Sequence, residues 1–131
     1  MKAIDTNILV RFLVGDDPDQ AGQVYELFKQ VEAEKNELLV PLPVVLELIW
    51  VLESAYDITR KEIIGSIRDL LLMPILKFEH QSVIRQAMLD AETDTCDLAD
   101  LLLAHTAREL GAEVVLTFDR RAARHILFER V

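Results

Sequence analysis

The chain has 131 residues, a length that favours one folded domain over residues 1–131. Its hydrophobic fraction of 51% and its content of only four glycines and four prolines argue against disorder. Its formal net charge of −9 disfavours loose, sequence-independent binding to nucleic acids or to anionic lipids. The single cysteine, Cys96, excludes an intramolecular disulfide framework, and no apolar run is long enough to cross a bilayer, so we expect a cytoplasmic protein without membrane contact.

Short apolar strands alternate with helical segments along the whole chain. Strands are predicted at 2–5, 38–40, 75–79 and 113–119, and helices at 6–14, 18–35, 42–54, 60–73, 80–92 and 97–110. Alternation of this kind, with continuous apolar runs in the strands, predicts an α/β fold whose parallel sheet is covered by helices on both faces. The helix at 42–54 is apolar on nearly every side and is expected to be centrally buried, and the tail after Asp119 is expected to be helical.

Two of the predicted strands end in an aspartate. Asp5 closes the first strand, and Asp119 follows the strand "EVVLTF". Because the carboxyl ends of parallel strands lie along one edge of a sheet, where such folds bind ligands, we expect these two carboxylates at the same edge.

Further acids interrupt apolar helices. Glu47 is the only charge between Leu42 and Leu52, which indicates either a functional carboxylate or a buried ion pair with Arg11 or another base. Asp97 and Asp100 share a face at a helix N-terminus. Asp97 has a second interpretation as the helix N-cap, whereas Asp100 caps nothing from its position.

Several converging carboxylates repel one another unless a proton or a cation lies among them. Oxygen ligands without histidine or cysteine favour Mg²⁺ or Mn²⁺ over zinc. Three nearby polar residues are suited to hold the carboxylates in place, although each also fits an ordinary cap or turn: Thr6, Asn7 and Thr117.

Four segments in register carry a family resemblance. These segments are "IDTNILVRFLVGDD", "VVLELIWVL", "DLADLLLAHTARELGA" and "VVLTFDRR". Together they resemble the PIN domain, in particular the VapC-type toxins of toxin–antitoxin pairs. The resemblance implies a three-layer α/β/α fold with a central, mostly parallel sheet of four to five strands. The chain departs from the family pattern at its end, where "RRAARHILFERV" lacks a Pro-Gly turn before a last edge strand.

The resemblance also implies the residues of the site. The acidic residues of the family correspond to Asp5, Glu47, Asp100 and Asp119, and Asp97 matches an additional acid found in many members. The implied activity is that of a Mg²⁺- or Mn²⁺-dependent endoribonuclease, in which a metal-activated water hydrolyses the phosphodiester bond.

The implied partners are RNA, an antitoxin protein and a second copy of the chain in a homodimer. Three arginines just past Asp119 are candidates for contacts with the RNA backbone, or are ordinary surface charges: Arg120, Arg121 and Arg124.

Two other functions are compatible with the acids. An aspartate-based phosphatase or phosphoacceptor also gathers acids at strand ends, but it needs a pocket lysine, for which Lys77 is the only weak candidate. A metal- or RNA-binding relative without catalysis is the third. Among the remaining residues, His80 and His125 are expected at the surface, His105 is expected to be packed or paired, and Trp50 fits either the core or an interface.

Overall fold

The computed structural model describes all residues from 1 to 131. The α/β class predicted from the sequence is confirmed, with short strands alternating with helices. The strands are β1 (Lys2–Ala3), β2 (Leu38–Val40), β3 (Leu76–Phe78), β4 (Val115–Thr117) and β5 (Phe128–Arg130). The helices are α1 (Thr6–Leu13), α2 (Pro18–Ala33), α3 (Leu42–Ser54), α4 (Arg60–Leu71), α5 (Gln81–Thr93) and α6 (Leu98–Glu109). None of the helices combines the length and apolar character needed to span a membrane.

The first compact unit, Met1–Glu79, is built on a parallel sheet with the order β1-β2-β3. Two of its helices begin at residues whose side chains cap them. Asp17 caps α2 by accepting a hydrogen bond from the backbone N–H of Gln20 at 3.1 Å, and Thr59 caps α4 in the same way. The buried apolar side chains of α4 lie on one face, in agreement with the predicted period: Ile63, Ile64, Ile67, Leu70 and Leu71.

The second unit, His80–Val131, contains α5, α6 and a parallel pair formed by β4 and β5. Gly111 lies just past the end of α6 and adopts φ +99°, a backbone conformation that side chains with a Cβ rarely tolerate. All strand pairings in both units are parallel, and hydrogen bonding divides the strands into a sheet of three and a sheet of two. Cys96 is a free, buried thiol.

Two expectations about local structure were wrong. The tail is not a helix: it forms one short 3₁₀ turn, Ala122–Arg124, and then strand β5. Phe128 is buried while the next two residues are exposed, and the strand is paired in parallel with β4.

The helix α3 is also not buried all round, because Leu46 is 36% and Trp50 64% exposed. Its core side is formed by Val45, Leu48, Ile49 and Leu52. An apolar composition alone did not reveal that the opposite side of α3 faces solvent.

Candidate functional site

Three of the predicted acids belong to the second unit. Asp97 is the N-cap of α6, and its Oδ1 accepts hydrogen bonds from the backbone N–H groups of Ala99 at 3.0 Å and Asp100 at 3.2 Å. The capping interpretation of Asp97 is therefore confirmed. Both bonds use one oxygen, so capping leaves Oδ2 able to bind a ligand.

Asp100 lies in the first turn of α6 and is half-buried. Its pKa is raised above the ordinary value, first by burial and then by the negative charges of Asp97 and Asp119. The structure therefore brings these three carboxylates close enough to repel one another. None of the three forms a salt bridge with a basic side chain.

Asp119 is held in a tight turn just past β4. Its backbone N–H donates to Thr117 Oγ1 at 3.0 Å, and its own Oδ1 accepts from the N–H of Arg121 at 2.8 Å and of Ala122 at 3.4 Å. Thr117 thus fixes the backbone of Asp119. The neighbouring arginines Arg120, Arg121 and Arg124 are all exposed.

The remaining two acids belong to the first unit. Asp5 follows β1 and caps α1, with Oδ1 3.4 Å from the backbone N of Ile8. Asp5 and Asn7 are exposed and line a cavity of about 350 Å³ together with Arg11, Gln20 and other residues of α1 and α2. The adjacent Thr6 is buried, and its Oγ1 has no hydrogen-bond partner.

Glu47 is exposed on the solvent side of α3. The alternative interpretation, a buried ion pair with Arg11, is wrong. Arg11 instead forms an ion pair with Asp16 at 3.1 Å and donates to Gln20 at 2.6 Å and to the Tyr56 hydroxyl at 3.3 Å. Glu47 is therefore a charge without a structural partner on a helix rich in apolar residues.

The sequence interpretation missed a cluster in the second unit. His125 was expected at the surface but is only 6% exposed, whereas His80 is exposed as predicted. The Nε2 atoms of His105 and His125 lie 2.8 Å and 2.7 Å from the same Asp90 oxygen, Oδ2. The pairing expected for His105 is confirmed. Nothing in the linear sequence signals the triad, because its members are 15 and 35 residues from Asp90.

The charge state of Asp90 follows from this geometry. Burial of Asp90 works against ionisation, but the hydrogen bonds from His105 and His125 outweigh it and lower the pKa of Asp90 below the ordinary value. Asp90 is therefore a stable carboxylate.

Asp90, Asp94 and His125 also have the spacing of a metal site, with ligand atoms within 4.8 Å of one another. The proton positions argue against a metal there. His125 Nδ1 accepts from the backbone N–H of Leu127 at 3.0 Å, so the neutral ring carries its proton on Nε2 and donates it to Asp90. A metal at Nε2 would have to displace that proton.

The PIN domain family model matches residues 2–126. The chain belongs to the PIN domain family. The resemblance seen in the sequence motifs is thereby confirmed over nearly the whole chain. A relative from Aquifex aeolicus (strain VF5), named VapC ribonuclease, is 27% identical over 121 residues, which cover 92% of this chain and 89% of the relative.

Proposed function

We propose that this PIN domain protein is a metal-dependent endoribonuclease and the toxin of a toxin–antitoxin pair. The observation that carries the proposal is the carboxylate of Asp100, which is half-buried near Asp97 and Asp119 and has no basic partner. Burial and the two neighbouring charges raise its pKa. Such an arrangement is costly in the unliganded protein and is relieved by a divalent cation. The relative named VapC ribonuclease supports the choice of RNA as the substrate.

The donor atoms fit a hard cation. Every candidate ligand is a carboxylate oxygen, which Mg²⁺ and Mn²⁺ prefer. Asp5, Asp100 and Asp119 would hold the ion, with Glu47 and Asp97 completing the site. When bound, the ion lowers the pKa of a water molecule and neutralises the phosphodiester oxygens.

The other residues of the chain orient these carboxylates. The N-terminal turn of α6 presents Asp97 and Asp100, and Thr117 holds the turn of Asp119 through its backbone. The partnerless hydroxyl of Thr6 is consistent with a supporting role beside Asp5 that is fulfilled only in the loaded site. Asn7 would support Asp5 from the cavity side.

The proposal extends to the partners and the location of the protein. The exposed arginines past Asp119 would contact RNA phosphates. The exposed apolar side chains of α3, Leu46 and Trp50, would contact an antitoxin or a second copy of the chain in a homodimer. Residues 1–131 would act as one domain in the cytoplasm.

The test is RNA cleavage by the purified protein. Structured RNAs are incubated with Mg²⁺ or with EDTA, and the 5′ ends of the fragments are mapped. We expect metal-dependent cleavage that is lost in Asp5→Asn and retained in Asp69→Asn, which neutralises an exposed carboxylate on α4 outside the site.

Other outcomes point to the alternative functions. Turnover of a phosphomonoester, or a stable phospho-aspartate, would favour the phosphatase or phosphoacceptor. Lys77, the lysine that this function would need, lies exposed in the middle of β3 rather than at its carboxyl end. RNA binding without cleavage under any metal would favour a non-catalytic relative.

A further inference from the structure

The cluster of Asp90, His105 and His125, here named the Asp90 clamp, joins three parts of the second unit. Asp90 belongs to α5, His105 to α6, and His125 directly follows the 3₁₀ turn Ala122–Arg124. Both imidazoles bind one carboxylate oxygen at 2.8 Å and 2.7 Å. Hydrogen bonds to a charged group are stronger than those between neutral groups. The carboxylate therefore ties α6 to the turn that ends at His125.

That turn begins at Asp119. The Oδ1 of Asp119 accepts from the backbone of Arg121 and Ala122, and its carbonyl oxygen accepts from the N–H of Ala123 at 3.1 Å. The N–H of His125 then donates to the carbonyl oxygen of Ala122 at 2.9 Å. A continuous series of hydrogen bonds thus leads from Asp119 to His125.

The other arm of the clamp leads to Asp100. His105 and Asp100 lie on the same helix, α6, whose first turn is fixed by the Asp97 cap. Asp119 is close enough to Asp100 for its negative charge to contribute, after burial and Asp97, to the raised pKa of Asp100. The helix α6 positions Asp100, and the turn positions Asp119. The clamp connects these two elements through side chains.

We propose that Asp90, His105 and His125 are positioning residues that hold Asp119 at the correct distance from Asp100 for binding a divalent cation. The inference rests on the proposed function, because it assumes that these acids bind the ion. The clamp residues touch neither the ion nor the RNA and act through Asp119 and Asp100.

The orientation of His125 is fixed at both ring nitrogens. Its Nδ1 accepts from Leu127 N–H while its Nε2 donates to Asp90, and the ring packs edge-on against Phe128 with 6.4 Å between ring centroids. The two hydrogen bonds have different functions in the proposal. Only the bond from Nε2 to Asp90 connects the Asp119 turn to α6. Two substitutions of His125 test this bond separately, because one of them removes it and the other retains it.

The experiment compares His125→Asn with His125→Gln. The amide of asparagine lies near the Nδ1 position, so His125→Asn retains an acceptor for the Leu127 N–H but loses the bond to Asp90. The longer side chain of glutamine reaches the Nε2 position, so His125→Gln retains a donor to Asp90. The readout is the dissociation constant for Mn²⁺, measured by isothermal titration calorimetry below the unfolding temperature of each variant. We expect His125→Asn to bind Mn²⁺ about 10- to 100-fold more weakly, as is typical when an outer partner of a metal ligand is lost. His125→Gln is expected to rescue most of this loss.

A control separates positioning from general destabilisation. Ile84→Val removes a buried methyl group from α5, the helix that carries Asp90, and changes no residue of the clamp or of the cavity beside His105. It should lower the unfolding temperature and leave the Mn²⁺ affinity unchanged. If His125→Asn does not fold, the same comparison is made with His105→Asn and His105→Gln, because His105 lines a cavity and is less buried than His125.

The outcomes distinguish this inference from the proposed function. If the wild-type protein neither binds Mn²⁺ nor cleaves RNA, both are wrong. If the wild type binds Mn²⁺ and all clamp variants bind it equally well, the positioning inference alone is overturned. Tight Zn²⁺ binding that is abolished by Asp94→Asn would show that the cluster is itself a metal site, which also overturns the inference.

Discussion

Replacing Thr6 by valine is expected to stabilise the protein in the absence of metal. Thr6 is 4% exposed, and its Oγ1 has no hydrogen-bond partner. A buried polar group without a partner costs roughly 1–3 kcal/mol. Valine has nearly the same shape and the same branching at Cβ, so the substitution removes this cost at the first position of α1 without a large change in helix propensity.

The expected shift is large enough to measure. For a chain of 131 residues, each 1 kcal/mol corresponds to about 3–4 °C, so the melting temperature should rise by roughly 3–12 °C. Thermal unfolding is followed by circular dichroism in EDTA. If Thr6 supports the metal site, the same variant should gain less stability from Mn²⁺ than the wild type does.

A second threonine provides the control. Thr106 Oγ1 donates to the carbonyl oxygen of Leu102 at 2.6 Å, so Thr106→Val removes a satisfied hydroxyl and should cost about 0.5–1.5 kcal/mol. The two substitutions are chemically identical and are expected to have opposite signs. A lower melting temperature for Thr6→Val would refute the reasoning, because it would mean that the hydroxyl has a stabilising partner.

Three further predictions concern individual carboxylates. Asp100→Asn should raise the melting temperature in EDTA at pH 7, because burial and the charges of Asp97 and Asp119 disfavour the carboxylate, and this gain should shrink as the pH falls through the raised pKa. A variant that melts lower in EDTA and responds normally to Mn²⁺ would remove Asp100 from the site. The stabilising contribution of the Asp90 carboxylate should be present above its ordinary pKa of 3.8. It should be lost as the pH falls through the lower pKa of the folded state. The free energy of unfolding of Asp90→Asn should therefore depend less on pH in this range. Asp17→Ala removes the N-cap of α2 and should cost about 1 kcal/mol in urea unfolding; an unchanged midpoint would show that the cap contributes nothing.

Local signals in the sequence were sufficient to locate the six helices and the first four strands. The caps at Asp17 and Thr59 and the glycine after α6 act within a few residues of where they appear. Burial was harder to predict. The apolar sequence of α3 does not distinguish a helix surrounded by protein from one that exposes Leu46 and Trp50, because the difference depends on the neighbours of the helix and not on its composition.

In the candidate site, too, the features that depend on local sequence were predicted and those that depend on distant residues were not. The grouping of Asp97, Asp100 and Asp119 was predicted from their positions at a helix start and a strand end. The burial of His125 was not, because it follows from a hydrogen bond to a residue 35 positions away. The final strand was missed for a related reason: Phe128 pairs with Val115 in a register that only the folded chain reveals.

The central claim is that the acids form a binding site for a divalent cation. The most direct test is Mn²⁺ titration by isothermal titration calorimetry of the wild type and of four variants: Asp5→Asn, Glu47→Gln, Asp100→Asn and Asp119→Asn. We predict saturable binding to the wild type and affinity lower by at least about tenfold in each variant, since the loss of a ligand costs no less than the loss of an outer partner. Equal affinity in the wild type and all four variants, or no saturable binding to the wild type, would contradict the claim.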